Sequence, residues 1–446
     1  MKSEIPKVCK MNNISYFIRL AKNVRVRISN IISLILLFSL AVFSLINQHS
    51  LNAANENPYW EIQSVDTVKL SRDLAREKMF DESFINSIND WVGRIADAGA
   101  THIAIGTPYD PEFLPYMKLW VAEARKRGLN VWFRGNFSGW EGWFGYAKIA
   151  PGEHILLTKV FIRSNPNLFE DGDIFTPCTE CENGVIGDPR STGNVDGFRN
   201  FLMESYIASS DSFKSISRNV KSGYFSMNGD VAKLVMDKKT TENLGGIVII
   251  DHYVNSPIQL ATDITDIATS SGGKVVLGEI GAPIPDIHGN FDVYKQEDWL
   301  KDVLALVAKN PDLIGINYWT ASGSSTSLWY ENGEAKPALG VLSSYYKPEV
   351  LSGKVEDSKG RPVSKAKVMV DAKYSISDND GKFSVVKNPS SSKLIVSARG
   401  YKEVSTEVEN SSKEGIFIVL QKNNENFIYK LKSWVTDIFG KIKIRF

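Results

Sequence analysis

Between Trp60 and Tyr346 the chain alternates short apolar runs with longer stretches whose apolar residues recur at helical spacing. The short runs are EIQSVDTV from Glu61, THIAIGT from Thr101, LNVWFRG from Leu129, GDIFTP from Gly172, SGYFSM from Ser222, GIVIIDHYV from Gly246, KVVLGEIG from Lys274 and LIGINYW from Leu313. Between them lie amphipathic stretches such as INSINDWVGRIADAG from Ile85, FLPYMKLWVAEARKRG from Phe113 and EDWLKDVLALVAKN from Glu297, several ending at Gly or Asn as helix C-termini prefer. Strand and helix in alternation predict a parallel sheet covered by helices. Eight such strands in roughly 285 residues predict an α/β fold of the (β/α)8 TIM-barrel type, which usually takes about 250. An open doubly wound sheet is the alternative, but no Gly-rich phosphate loop follows the first strand.

After Tyr346 the pattern shortens to SGKVEDSKGRPVSKAKVMVD, SDNDGKFSV and KLIVSARG, separated by Lys-Gly, Asn-Asp-Gly and Arg-Gly turns. Strands and turns at this spacing predict a small antiparallel, all-β sandwich domain. Before the barrel, Lys22, Arg25 and Arg27 precede a run from Ile31 to Ile46 that carries no charge. Basic residues before such a run and none just after it predict an N-terminus towards the cytoplasm and an extracytoplasmic remainder, by a cleaved signal or a retained membrane anchor. At the other end Ile428, Leu431, Trp434, Val435, Ile438, Phe439 and Ile442 recur at helical spacing among basic residues. That pattern fits a helix lying on an anionic membrane surface or one docked on a domain. The organisation expected is therefore 1–54 signal or anchor, 55–346 barrel, 350–421 sandwich and 422–446 basic amphipathic tail.

Composition changes this picture little. A net charge of +1 gives no global case for nucleic acid. Of three cysteines, Cys178 and Cys181 form a single CxxC, and no second pair stands at zinc-site spacing. The motif sits in a loop bounded by Pro and Gly rather than opening a helix, so a local disulfide or thiol pair is a better reading than redox catalysis.

Active sites of such barrels gather at the C-terminal ends of the strands, so the informative residues are the acids found there. Strand four runs DIFTP into CTECENG, which puts Glu180 and Glu182 just past its end; strand seven, KVVLGEIG, ends with Glu279. From Glu180 to Glu279 is 99 residues, or three strand-helix units. Two facing carboxyl groups suit glycosidic hydrolysis, one to protonate the leaving oxygen and the other to attack or to activate water. Arg134, Trp140 and Trp143 follow strand three in FRGNFSGWEGWFG, and Asp251, His252 and Tyr253 follow strand six. Exposed aromatic rings there would stack on sugars, although such a loop also packs its own aromatics as a lid.

With these residues in place the barrel resembles the clan A glycoside hydrolases, the cellulase- and mannanase-like superfamily. That resemblance implies Glu180 as acid/base and Glu279 as nucleophile of a retaining hydrolase acting on β-linked poly- or oligosaccharide, without metal or other cofactor. It also implies substrate contacts at His252, Tyr253 and Trp319, the last ending strand eight. Where the clan has Asn before its acid/base this chain has Thr179, which leaves Glu182 as the rival acid. A non-catalytic carbohydrate-binding or adhesion protein on an inactive barrel, and an envelope transglycosylase, share most of these residues. Residues 351 to 421 resemble the carboxypeptidase regulatory-like, transthyretin-like domain, a module that implies no peptidase activity.

Overall fold

The structure, a computed structural model, describes residues 57–408 and 415–423. The apolar run before the barrel and the basic tail after the sandwich lie outside these residues. Among the described residues no helix is long and apolar enough to cross a membrane.

Eight parallel strands form one sheet in the order β4-β3-β2-β1-β8-β7-β6-β5. They are β1 (Ile62–Asp66), β2 (His102–Ile105), β3 (Asn130–Phe133), β4 (Ile174–Phe175), β5 (Ser226–Asn228), β6 (Ile247–Asp251), β7 (Lys274–Ile280) and β8 (Leu313–Tyr318). All eight coincide with or adjoin the predicted runs. The segment leading into β5 closes the barrel on β4: Phe175 N donates to Lys221 O at 2.9 Å and Lys221 N to Asp173 O at 2.9 Å.

The main helix after each strand is α1 (Phe84–Asp97), α2 (Leu114–Lys126), α3 (Pro151–Ser164), α4 (Val195–Ser215), α5 (Gly229–Val235), α6 (Pro257–Ser271), α7 (Val293–Val307) and α8 (Pro337–Tyr346). In α1 the buried residues Ile88, Trp91, Val92 and Ile95 recur every three or four positions, a stripe that faces the strands. Just beyond α2 and α6, Gly128 and Gly272 take left-handed φ values of 69° and 66°, which a side chain resists and which stop each helix. The outer faces of the strands and the inner faces of the helices share one apolar core. A smaller cluster that includes Ile62, Ala104, Trp132, Ile174, Ile249 and Val276 fills the barrel interior, so the barrel is packed rather than hollow.

The C-terminal domain pairs two small sheets around Leu351, Val355, Val368, Phe383, Leu394, Val396 and Leu420. One holds β10 (Lys367–Val370), β11 (Lys373–Ile376), β13 (Lys393–Ser397) and β14 (Val404–Glu407); the other holds β9 (Glu349–Asp357), β12 (Lys382–Lys387) and β15 (Ile416–Leu420). The expectation of a wholly antiparallel sandwich needs one correction, because β15 runs parallel to β9. The sandwich meets the barrel at the end away from the strand C-termini. There Asn388 Nδ2 donates to Tyr59 Oη at 2.9 Å and Tyr345 Oη to Ser390 Oγ at 3.0 Å.

Candidate active site

Side chains of a pleated strand alternate faces, so residues two or four apart share the barrel interior. Ile62 and Asp66 on β1, Trp132 on β3 with Arg134 just beyond it, and Ile249 and Asp251 on β6 stand at such spacings, with the apolar residue inside the barrel and the charged one at its C-terminal mouth. On β7 the ladder shifts register between Leu277 and Ile280, and Asp251 comes opposite Glu279. A bulge of this kind re-aims a side chain and is frequent beside functional sites.

Arg134 is the centre of the cluster. Its side chain is buried and donates to Gly278 O, to Ser226 Oγ at 3.3 Å and to Glu279 Oε1 at 3.0 Å. Asp251 Oδ2 lies at 3.3 Å and Asp66 Oδ2 at 3.7 Å from the guanidinium. Asn317 on β8 donates to Asp66 Oδ2 at 3.0 Å and to Gly278 O at 2.8 Å, which holds the floor of the mouth together. One guanidinium thus faces three carboxyl groups in a desolvated space. Ionising all three would leave excess negative charge where water cannot solvate it, so the site favours proton uptake. Burial, opposed by Arg134, pushes Asp251 upward, and the same two influences leave Glu279 at about 8. Tyr253 Oη donates to Glu279 Oε2 at 2.8 Å, a second bond that favours the ionised carboxylate.

Glu180 stands just past the end of strand four. It lies on the loop after β4, with φ 44° and ψ 56°, and its N–H donates to Ser226 O of β5 at 3.1 Å. A left-handed backbone costs a residue with a Cβ about 1–2 kcal/mol, and such strain concentrates at functional sites. Among the described residues its carboxyl receives no hydrogen bond. Burial, then the charges of Asp251 and Glu182, push it up to about 8. Glu180 and Glu279 are close enough for the charge of Glu180 to raise Glu279. Thr179 turns away, its hydroxyl donating to Arg134 O at 3.1 Å and so tying the Glu180 loop to the end of β3. Cys178 and Cys181, both buried, are joined as a disulfide on either side of Thr179 and Glu180.

The remaining predicted residues divide. Glu182 is buried with Oε1 accepting from Asn228 N at 2.7 Å, which fixes it beneath the loop. Trp319 is half-buried at the mouth, its ring 6.1 Å from that of Tyr253 and 5.9 Å from Lys69 Nζ. Trp143 is half-buried with the Arg72 guanidinium 4.5 Å above its ring. Two expectations are corrected. Trp140 is fully buried and stacks on Phe201 at 5.1 Å, so its ring has no face left for a sugar; it packs the loop from beneath. His252 is buried with Nε2 bonded to Asp263 of α6 at 2.8 Å, which turns its ring towards the helix layer and away from Glu279. Sequence reasoning named Asp251 only as a neighbour of His252, without its place in the cluster, and did not single out Asn317. The inward period of β6 and β8 was the signal that could have found them.

Comparison with known proteins gives the following. The family model for the carboxypeptidase regulatory-like domain matches residues 350–421. No curated protein matches the chain. Among solved structures, a GH5_18 variant from Streptomyces cattleya in complex with Manβ1-4GlcNAc aligns with a TM-score of 0.50 and 11% identity, over 66% of this chain and 84% of that one. A GH5_18 variant from Bifidobacterium longum subsp. longum, also in complex with Manβ1-4GlcNAc, aligns with a TM-score of 0.49 and 14% identity, over 68% and 84%. Bacteroides uniformis β-glucuronidase 2 aligns with a TM-score of 0.43 and 11% identity over 75% of this chain, which spans 44% of that protein. At such identities the likeness concerns the fold alone.

Proposed function

We propose that the barrel is a retaining glycoside hydrolase for β-linked poly- or oligosaccharides, with Glu180 as acid/base and Glu279 as nucleophile. The observation that carries this reading is the asymmetry of two partly buried carboxyl groups that feel each other's charge. Glu279 accepts charge-stabilising bonds from Arg134 and Tyr253. Glu180 has no such donor and faces like charge. Both carboxyl groups are raised to about 8 and share protons as a pair, and the bonds from Arg134 and Tyr253 favour Glu279 as the member that ionises first. One ionised and one protonated carboxyl is the state the reaction requires. The Glu279 carboxylate attacks the anomeric carbon while Glu180 donates its proton to the departing oxygen. Glu180, now ionised, then takes a proton from the water that displaces Glu279. Trp319 beside Tyr253 supplies a sugar-stacking face.

A slow-turnover 2-deoxy-2-fluoro glycoside tests the covalent step. Mass spectrometry of the digested protein should find the sugar on the peptide containing Glu279; a product of inverted configuration with no adduct would overturn the retaining mechanism. The basic residues followed by an apolar run before the barrel support an extracytoplasmic, envelope-facing site of action. Protease added to intact cells should then degrade the barrel, and full protection would refute that placement.

A further inference from the structure

The loop between β8 and α8 builds a second polar cleft beside the mouth. Past Trp319 the chain folds into a hairpin in which Trp329 N donates to Ala321 O at 3.0 Å and Lys336 N to Leu328 O at 2.9 Å. Ser324 N donates to Ser327 Oγ at 2.8 Å, and Ser327 Oγ to Ser324 O at 2.7 Å, which fixes the bend. The resulting cleft has a volume of about 560 Å³, with Ser322, Ser324, Ser327, Tyr330 and Lys336 in its walls. Lys69 stands between the cleft and the mouth. That lysine's stem packs 3.1 Å from where a Cβ on Gly323 would sit, and its Nζ lies 5.9 Å from the Trp319 ring.

Lys336 is the unusual member. It is half-buried, with Nζ 5.3 Å from the Tyr330 ring centroid, and among the described residues no carboxylate pairs with it. Burial pulls its ammonium below the ordinary lysine range, the sign of a cation that has lost water without gaining a counter-ion. Tyr330, 43% exposed, offers an apolar platform and a phenol. Glu331 also lines the cleft but is exposed, so water and salt screen its repulsion of an anion.

We propose that this cleft is a distal subsite for a sugar unit bearing an anionic substituent, carboxylate or sulfate, in the same glycan chain whose bond is cleaved between Glu180 and Glu279. The ring face lies on Tyr330, the half-buried Ser324 presents a hydroxyl to the sugar, and the anionic group completes Lys336 with a charge-assisted bond. The proposal rests on the carbohydrate reading for the class of ligand, and its test uses binding rather than turnover.

The full chain carrying Glu279→Gln is titrated calorimetrically with a neutral β-glucan oligosaccharide, the same oligosaccharide oxidised to the uronate, and the same oligosaccharide O-sulfated. Either anionic form should bind roughly tenfold more tightly than the neutral one, and the tighter of the two identifies the substituent. Lys336→Met should abolish the preference and Lys336→Arg should keep it, with thermal melts confirming that both fold. Equal affinity for all three sugars, or a preference that survives Lys336→Met, would overturn the subsite. A Lys336-dependent preference in a protein whose parent hydrolyses none of the three would sustain the subsite and count against the hydrolase reading alone.

Discussion

Replacing Arg134 by Met keeps the bulk of the side-chain stem and removes the only cation that faces Asp66, Asp251 and Glu279 among the described residues. At 3.0 Å and an effective dielectric of about 20, the Glu279 pair alone is worth about 5 kcal/mol of attraction, most of it offset by the desolvation of both partners. Breaking a buried pair from one side leaves that desolvation uncompensated and costs about 3–5 kcal/mol. The loss must also depend on pH. Without the guanidinium Asp251 and Glu279 rise further above their unfolded values of about 4, so the native state binds more protons than the unfolded one. Stability then falls as pH rises from about 4 through the folded values, and the penalty is complete only above them. Melting followed by fluorescence should show Arg134→Met losing roughly 5–8 °C near pH 8, with a penalty below about 2 kcal/mol near pH 5. An equal loss at both pH values, or a loss under about 1 kcal/mol near pH 8, would refute the account of Arg134 as the counter-ion of this cluster.

Two further outcomes follow from the same geometry. Tyr253→Phe deletes a donor to the Glu279 anion; it should lower kcat roughly 10- to 100-fold and move the acidic limb of the kcat/KM profile upward, and an unmoved limb would show that this bond does not tune Glu279. Trp319→Ala should raise KM for oligosaccharides with little change in melting temperature, whereas Trp140→Ala, which empties a fully buried site against Phe201, should cost about 3–5 kcal/mol of stability; the reverse pattern would contradict the assignment of the two rings.

The barrel was legible because most of its strands are short runs rich in apolar residues and helices such as α1 keep their apolar residues at the core-facing spacing. The mouth was legible only in part. Arg134 could be placed near the mouth because it directly follows the apolar run of strand three, and period two then carries such a residue to the inside. The same rule applied to Asp251 and Asn317, but a lone acid or amide at a strand end gives no sign of the cation it will meet from a strand far away in sequence. His252 and Trp140 misled for a related reason. A histidine one position beyond an inward residue turns towards the helix layer, where Asp263 of α6 captures it. A tryptophan in a glycine-rich loop reads as exposed until a neighbour such as Phe201 is seen to cover it. Glu180 was found as a residue type near a strand end. Its left-handed backbone and its bond to β5 arise from the closure of the barrel, a long-range event that local pattern does not record.

The central claim is that Glu180 and Glu279 act as a pair, and the most direct test is hydrolysis of aryl β-glycosides, soluble β-glucans and β-mannans by the full chain and by Glu180→Gln, Glu182→Gln and Glu279→Gln. The account predicts activity in the parent that falls roughly a thousandfold or more without Glu279, falls strongly without Glu180 on substrates with poor leaving groups, and survives in Glu182→Gln. Activity that persists in Glu279→Gln, or that disappears in Glu182→Gln while Glu180→Gln retains it, would contradict the claim.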